Sequence, residues 1–82
     1  MRYLDLSKNY LSDCSPLKYL VNLEYIDICQ YEDIKGKLYD IKFVKKMKNL
    51  MYFSAIGNSI VDVSPLKKLK QLRTLYLNCN LL

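Results

Sequence analysis

The sequence predicts an α/β repeat solenoid, in which each unit combines a short strand with a short helical turn. The phrase Asp-x-Ser-Pro-Leu-Lys-x-Leu occurs at residues 13–20 and again at 62–69. A fixed internal period is typical of repeat architectures, whose units bury their apolar faces against one another. Upstream of each phrase, apolar and polar residues alternate at period two, which is the pattern of a strand with one buried face.

Aligning the strands divides the chain into units 1–22, 23–49 and 50–71 and a partial unit 72–82. The first, third and fourth units share the pattern L-x-x-L-x-L-x-x-N-x-L, which resembles the leucine-rich repeat family. The 22-residue length with Asp-x-x-Pro-Leu-x-x-Leu is similar to repeats of a regulatory subunit of protein phosphatase 1 and of bacterial internalins. The resemblance implies a parallel sheet on a concave face and short 3₁₀ or helical turns on a convex face.

Each strand is expected to turn one face into the core and to end in an asparagine. Leu4 and Leu6, like Leu75 and Leu77, occupy the inward positions of the first and last strands. The asparagine that follows must turn the chain while its amide satisfies backbone groups left unpaired by the turn. These asparagines are Asn9, Asn58 and Asn80.

The convex turns have a recognisable start. Ser15 and Ser64 are each followed by proline, so we predict that the serine is an N-cap and the proline the first helical residue. Cys14 stands where the sister units have Val63 and Ile41, and it is therefore expected to be a small core residue.

The second unit departs from the pattern because it is five residues longer than its neighbours. Tyr31 stands where asparagine belongs, and the extra residues fall between Cys29 and Gly36, in segment 30–35. Such insertions become loops on one face of a solenoid, often the binding face, while simple decay of the repeat is the alternative. Since this unit lacks both the asparagine and the Ser-Pro step, we expect its turn to be the loosest part of the molecule.

Length and composition fit one small domain, with 82 residues of which 51% are hydrophobic. No apolar run approaches the roughly 18 residues of a membrane span. The repeat begins at Met1 without a signal peptide and ends on Leu81 and Leu82 in the middle of a unit. We therefore expect a fragment of a longer array or, alternatively, a short protein that associates end to end.

The cysteines indicate a reducing compartment, because an odd count of three shows no pairing logic. Cys29 is predicted to point outward from its strand, and Cys79 precedes the last turn asparagine. With no histidine and no C-x-x-C motif, neither a metal nor another cofactor is expected. The predicted location is the cytoplasm, or the cell surface or exterior if the chain belongs to a longer protein.

The basic residues, which give a net charge of +5, cluster on the predicted convex side. Nucleic acid or an anionic membrane could bind there, but the clusters hold almost no aromatic residue and no glycine-rich phosphate cradle. A solvated face is the favoured interpretation. The clustered lysines are Lys42, Lys45, Lys46, Lys48, Lys67, Lys68 and Lys70.

The concave face is the predicted binding surface, because equivalent positions of neighbouring strands form columns about 4.8 Å apart. Tyrosine gives rigid contact area with a polar tip, and stacked carboxylates invite a cation. We therefore predict a protein or peptide partner with basic and apolar groups, although tyrosine also simply favours strands. The first column is Tyr3, Tyr25, Tyr52 and Thr74, and the second is Asp5, Asp27, Ser54 and Tyr76.

Catalysis is not expected on this surface. Asp5 and Asp27 would lie on an open sheet without a cleft, and the chain has no histidine to activate a serine or cysteine. The predicted function is a protein-interaction module without a small-molecule substrate. The alternatives are a fragment of a bacterial surface or secreted adhesion protein, and lysine-driven binding to nucleic acid or membrane.

Overall fold

A computed structural model describes residues 2–9, 11–30 and 38–81. Four three-residue strands, β1 (Tyr3–Asp5), β2 (Tyr25–Asp27), β3 (Tyr52–Ser54) and β4 (Thr74–Tyr76), form one parallel sheet in chain order. Three 3₁₀ turns lie between successive strands in the chain, at Ser15–Tyr19, Lys42–Val44 and Ser64–Leu66. The predicted α/β solenoid is confirmed, and all its helical turns in the described part of the chain are 3₁₀.

The core lies between the sheet and the 3₁₀ turns, and its side chains are least exposed to solvent in the middle of the molecule. Ile26 of β2 and Phe53 of β3 are fully buried, and Phe53 meets Phe43 edge to face at 6.4 Å between ring centroids. At the edge of the sheet, Leu75 of β4 is 43% exposed. Leu75 pairs with buried Phe53 and so lies on the predicted core side, but it stays partly exposed because an edge strand has a neighbour on one side only.

The turn asparagines hold neighbouring units together. Asn58 Nδ2 donates to the carbonyl oxygens of Ile28 at 3.0 Å and Ala55 at 3.1 Å. Asn80 Nδ2 also donates to the Ala55 oxygen, at 2.9 Å, and its Oδ1 accepts the Ile60 N–H at 2.9 Å. The predicted role of the amide is thus confirmed for these two residues, and each bonds to the preceding unit as well as to its own.

Asn9 behaves differently at the equivalent position of the first unit. Its Nδ2 donates to the Ser7 carbonyl oxygen at 3.3 Å, and the bond is exposed to solvent. Because the first described strand has no preceding strand beside it, the amide has no second carbonyl to bridge. The turn asparagine therefore bonds to two units in the middle of the solenoid but only to its own unit at the edge.

The serines predicted as N-caps are instead the first residues of their 3₁₀ turns. Cys14 and Val63 occupy the cap positions and make no side-chain capping bond. The unpaired N–H groups are satisfied by the aspartate two residues earlier: Asp13 accepts from Ser15 and Asp62 from Ser64, both at 2.9 Å. The short aspartate side chain accepts an N–H two residues further along the chain, which is the bond of an Asx turn. The serine is therefore the residue that is capped and not the cap.

The second unit uses the same device without the Ser-Pro step. Asp40 Oδ1 accepts the Lys42 N–H at 2.9 Å at the start of the turn Lys42–Val44. The predicted insertion at 30–35, together with Tyr31 and Gly36, lies almost wholly outside the described residues. Its loop, the looseness of its turn, the unit boundaries and the longer array stay predictions.

Left-handed backbone recurs just before the turn asparagine. Lys8, Gly57 and Cys79 have φ angles of 62°, 77° and 60° at equivalent positions. A Cβ atom on Gly57 would collide with the backbone oxygen of Gln30. Only at Gly57, therefore, do both the φ angle and the space available demand glycine.

Candidate functional site

A row of stacked tyrosines crosses the sheet on the face opposite the core. The ring centroids of Tyr3 and Tyr25 are 4.0 Å apart with planes 10° apart, and those of Tyr25 and Tyr52 are 4.1 Å apart with planes 5° apart. Tyr76 continues the row, its ring meeting Tyr52 at 5.9 Å and 64°. We call Tyr3, Tyr25, Tyr52 and Tyr76 the tyrosine ladder.

The strand register creates the ladder. Tyr3 pairs with Tyr25, Tyr25 with Tyr52, and Tyr52 with Thr74, as the columns predict. Tyr76 belongs to the second column, beside Ser54, and reaches Tyr52 diagonally. A diagonal contact between aromatic side chains on neighbouring strands was available as a signal in the sequence, but the column rule alone missed it.

Stacking decides which part of each ring a partner can meet. The faces of Tyr25 are covered by Tyr3 and Tyr52, so this ring offers its edge and its hydroxyl. The phenol of Tyr3 is the largest cause of a pKa of Tyr25 raised above the ordinary value of 10.0, with burial next and Tyr52 adding to it. The Tyr25 phenol is neutral at neutral pH, and its hydroxyl already interacts with those of Tyr3 and Tyr52.

The carboxylates of the second column are both engaged by the backbone. Asp5 Oδ1 accepts the N–H of Ser7 at 3.0 Å and its hydroxyl at 2.7 Å, and these two bonds, the hydroxyl's first, lower the pKa of Asp5. Asp27 Oδ1 accepts the N–H of Cys29 at 3.0 Å. Asp5 is exposed, whereas Asp27 is only 8% exposed. Of the two predicted carboxylates, Asp5 is the accessible one.

Cys29 is not exposed, as its predicted outward position would suggest, but only 1% accessible to solvent. Its Sγ lies 2.6 Å from Ser54 Oγ, and Ser54 is itself 1% exposed. The polar contact between the two side chains makes their burial tolerable. Ser54 and Asp27 therefore support the surface from within, while Tyr3, Asp5 and Tyr76 form its exposed part.

The rim of the face carries a single described ion pair, from Arg2 Nε to Glu24 Oε2 at 3.5 Å. Within the described ranges, no group of three or more histidine, cysteine, aspartate or glutamate side chains could hold a metal ion. No helix in this part of the chain is long and apolar enough to cross a membrane.

Comparison with known proteins shows what the chain is similar to. No protein-family model matches the chain, and no curated protein sequence does. Among solved structures, an internalin (inlF) from Listeria monocytogenes str. 4b F2365 matches with a TM-score of 0.80 and 33% sequence identity over 98% of this chain. The chain is a leucine-rich-repeat solenoid. It spans 22% of the length of that internalin.

The leucine-rich-repeat architecture explains why the face is so regular. Each repeat returns the chain to the same position one strand further along, so one residue type at one repeat position builds a column. Tyr3, Tyr25 and Tyr52 stack for this reason, and the last strand breaks the column with Thr74. The predicted site residues thus come together on one face, at different depths.

Proposed function

We propose that this leucine-rich-repeat solenoid is a protein-interaction module that holds a partner on its concave face. The tyrosine ladder is the observation that carries the proposal. It forms an unbroken aromatic row across all four described strands. Likeness to an internalin, at 33% identity, supports an interaction module in general. The contact residues we propose are Tyr3, Asp5, Tyr25, Tyr52, Thr74 and Tyr76, with Asp27 and Ser54 beneath them.

The ladder suits binding because its side chains are already ordered. A stacked tyrosine has little rotamer freedom left to lose when a partner arrives, and its ring offers large amphipathic contact area. Tyr3 is 59% exposed and Tyr76 is 45% exposed, so both ends of the row reach solvent. Interfaces concentrate their binding energy in aromatic residues of this kind.

The negative charge of Asp5 favours a partner with basic side chains. Asp5 is exposed, and its lowered pKa keeps it ionised, so a lysine or arginine of the partner would pair with it. The stack covers both faces of Tyr25, so cation–π contact is open at the two ends of the ladder, on the exposed rings of Tyr3 and Tyr76. An apolar group beside that cation would lie along the ring edges of the ladder.

The test uses peptides selected from a random display library on the immobilised chain. Their affinities are then measured for the unmodified protein and for Tyr52→Ser, Tyr25→Phe and Asp5→Asn. Loss of a central ring should weaken binding about tenfold or more, and Asp5→Asn should weaken only peptides that carry lysine or arginine. Tyr25→Phe keeps the stack and measures the contribution of the hydroxyl.

Tyr39→Ser is the matched control, since Tyr39 is 62% exposed and lies outside the ladder. Each variant's fold is checked by circular dichroism. Selected peptides that bind Tyr52→Ser and Tyr39→Ser equally well would refute the proposal.

Similarity to the internalin favours a second candidate for the wider role. The chain would then be a segment of a bacterial surface or secreted adhesion protein, instead of a cytoplasmic scaffold. Antibodies against the chain, used on fractions of the cells that encode it, distinguish the two. Detection in the cell envelope or medium supports the second candidate, and detection confined to the cytoplasm supports the scaffold.

A further inference from the structure

A groove on the convex side lies between the first two 3₁₀ turns. It has a volume of about 490 Å³. Phe43, which is only 5% exposed, contributes to its wall, and Tyr19 and Val21 stand beside it. Its remaining lining residues are lysines: Lys18, Lys42, Lys45 and Lys46. We call these seven residues the convex groove.

Among the residues that the structure describes, the lining of the convex groove contains four lysines and no carboxylate. The nearby aspartates lie at the starts of the 3₁₀ turns, where Asp13 and Asp40 accept backbone N–H groups at 2.9 Å. Positive charge continues sideways, since Lys42 and Lys45 also line a neighbouring groove together with Lys68. Lysines gathered in this way repel one another, and an anionic ligand would relieve that repulsion.

The groove also offers apolar surface. Tyr19 is 76% exposed and Val21 is 42% exposed, although both are large hydrophobic side chains. Lys18 Nζ lies 5.2 Å from the centroid of the Tyr19 ring, where the cation stabilises that ring in place. Apolar walls between cationic rims are complementary to a ligand that has an apolar centre and anionic flanks.

We propose that the convex groove binds an acidic peptide segment with one large apolar side chain among its carboxylates. A peptide fits better than a nucleic acid strand, because Tyr19 is the single exposed aromatic ring among the described residues of the groove and successive bases need several stacking partners. It fits better than a membrane surface, because Phe43, the most buried apolar group of the lining, lies in a recess and is only 5% exposed. The convex groove lies on the face opposite the tyrosine ladder, so the result of its test does not depend on the proposed function.

The experiment follows backbone NMR signals of the full chain during titration with a synthetic peptide of glutamates and aspartates around one phenylalanine. Lys45→Gln/Lys46→Gln removes two charges from the groove. Lys67→Gln/Lys70→Gln removes two charges from the same side of the molecule, outside the groove lining. Tyr19→Ser removes the aromatic wall, and Tyr39→Ser is its control, as another exposed tyrosine that lies outside the groove.

The expected result is binding that weakens about threefold to tenfold in Lys45→Gln/Lys46→Gln and in Tyr19→Ser. The two control variants should stay within about twofold of the unmodified protein. Absence of shifts at groove residues up to millimolar peptide overturns the proposal, and so does equal weakening in the matched lysine pairs. Equal affinity for a glutamine and asparagine version of the peptide overturns it too. Phosphatidylserine vesicles or oligo-dT binding where the peptide fails would assign the face to those ligands instead.

Discussion

Tyr25 and Tyr52 stack with their ring centroids 4.1 Å apart and their planes 5° apart, although 26 residues separate them in the chain. The strand register places them side by side, and Tyr3 completes the sandwich on the other side. Tyr25 is thus stacked face to face on both sides, whereas Tyr52 is stacked on Tyr25 and meets Tyr76 edge to face. The ladder therefore contributes to stability as well as to the proposed binding.

Replacing Tyr25 tests that contribution. Tyr25→Ser removes two stacking contacts and should lower the free energy of unfolding by about 1 to 3 kcal/mol. Tyr25→Phe keeps both contacts and should stay within about 0.5 kcal/mol of the unmodified protein. Urea unfolding measures both. An equal loss in the two variants would mean that the hydroxyl, not the stack, holds this residue.

The turn asparagines predict a difference between two equivalent positions. Asn58→Ala leaves the buried carbonyl oxygen of Ile28 without this donor and should cost about 2 to 4 kcal/mol, while the Ala55 oxygen keeps the bond from Asn80. Asn9→Ala loses one exposed bond of 3.3 Å and should cost less than about 0.5 kcal/mol. The comparison uses thermal or urea unfolding of both variants, and similar losses would contradict the bridging role of Asn58.

Because the residue before the turn asparagine has a left-handed backbone, we expect opposite changes in stability from Gly57→Ala and Cys79→Gly. Gly57→Ala should destabilise the protein by about 1 to 3 kcal/mol, because its φ of 77° is strained for alanine and the new Cβ meets the Gln30 oxygen. Cys79→Gly relieves the strain at a φ of 60° and should raise stability by up to about 1 kcal/mol. Unfolding midpoints that moved in the same direction would show that φ does not govern these sites.

The aspartates at the starts of the 3₁₀ turns predict a loss of stability in acid. The pKa values of Asp13 and Asp62 lie below their ordinary value of 3.8, chiefly because the N–H groups of Ser15 and Ser64 bind the carboxylates. A pKa depressed in the folded state stabilises the fold above that ordinary value, and the gain disappears as the pH falls through the folded pKa. The urea midpoint should therefore drop below about pH 3.8.

Asp13→Asn/Asp62→Asn is the matched variant for that pH series. The amide oxygen can still accept the backbone N–H, but it does not titrate, so the drop below pH 3.8 should be shallower than in the unmodified protein. Superimposable pH profiles of the two proteins would show that these carboxylates do not cause the acid sensitivity.

The thiols predict selective chemical labelling. Burial, followed by the charge of Asp13, raises the pKa of Cys14 to about 11, whereas Cys79 is exposed. A thiol reagent at neutral pH should modify Cys79 quickly and Cys14 only as the protein unfolds. Mass spectrometry of digested samples locates the label. Rapid labelling of a Cys79→Ser variant in its folded state would contradict the buried environment of the other cysteines.

Much of the fold and part of the site followed from local patterns. The register of Tyr3 with Tyr25 was predictable because equivalent positions of stacked repeats must align. The N-cap assignment failed at Ser15, since aspartate and serine both bind turn backbone and only the geometry shows which one reaches the N–H. The burial of Cys29 was not predictable, because period-two alternation gives the face of a residue but not what lies over it.

The sequence by itself determined the repeat architecture, the parallel sheet and the columns of the concave face. A fixed repeat of apolar residues places equivalent positions of successive units side by side, so that each unit buries its apolar face against the next. The tertiary structure alone decided the depths of Asp27 and Ser54, the diagonal contact between Tyr52 and Tyr76, and the recess between Lys18 and Lys46. These features depend on distances between side chains from different units, and a repeat pattern does not encode such distances.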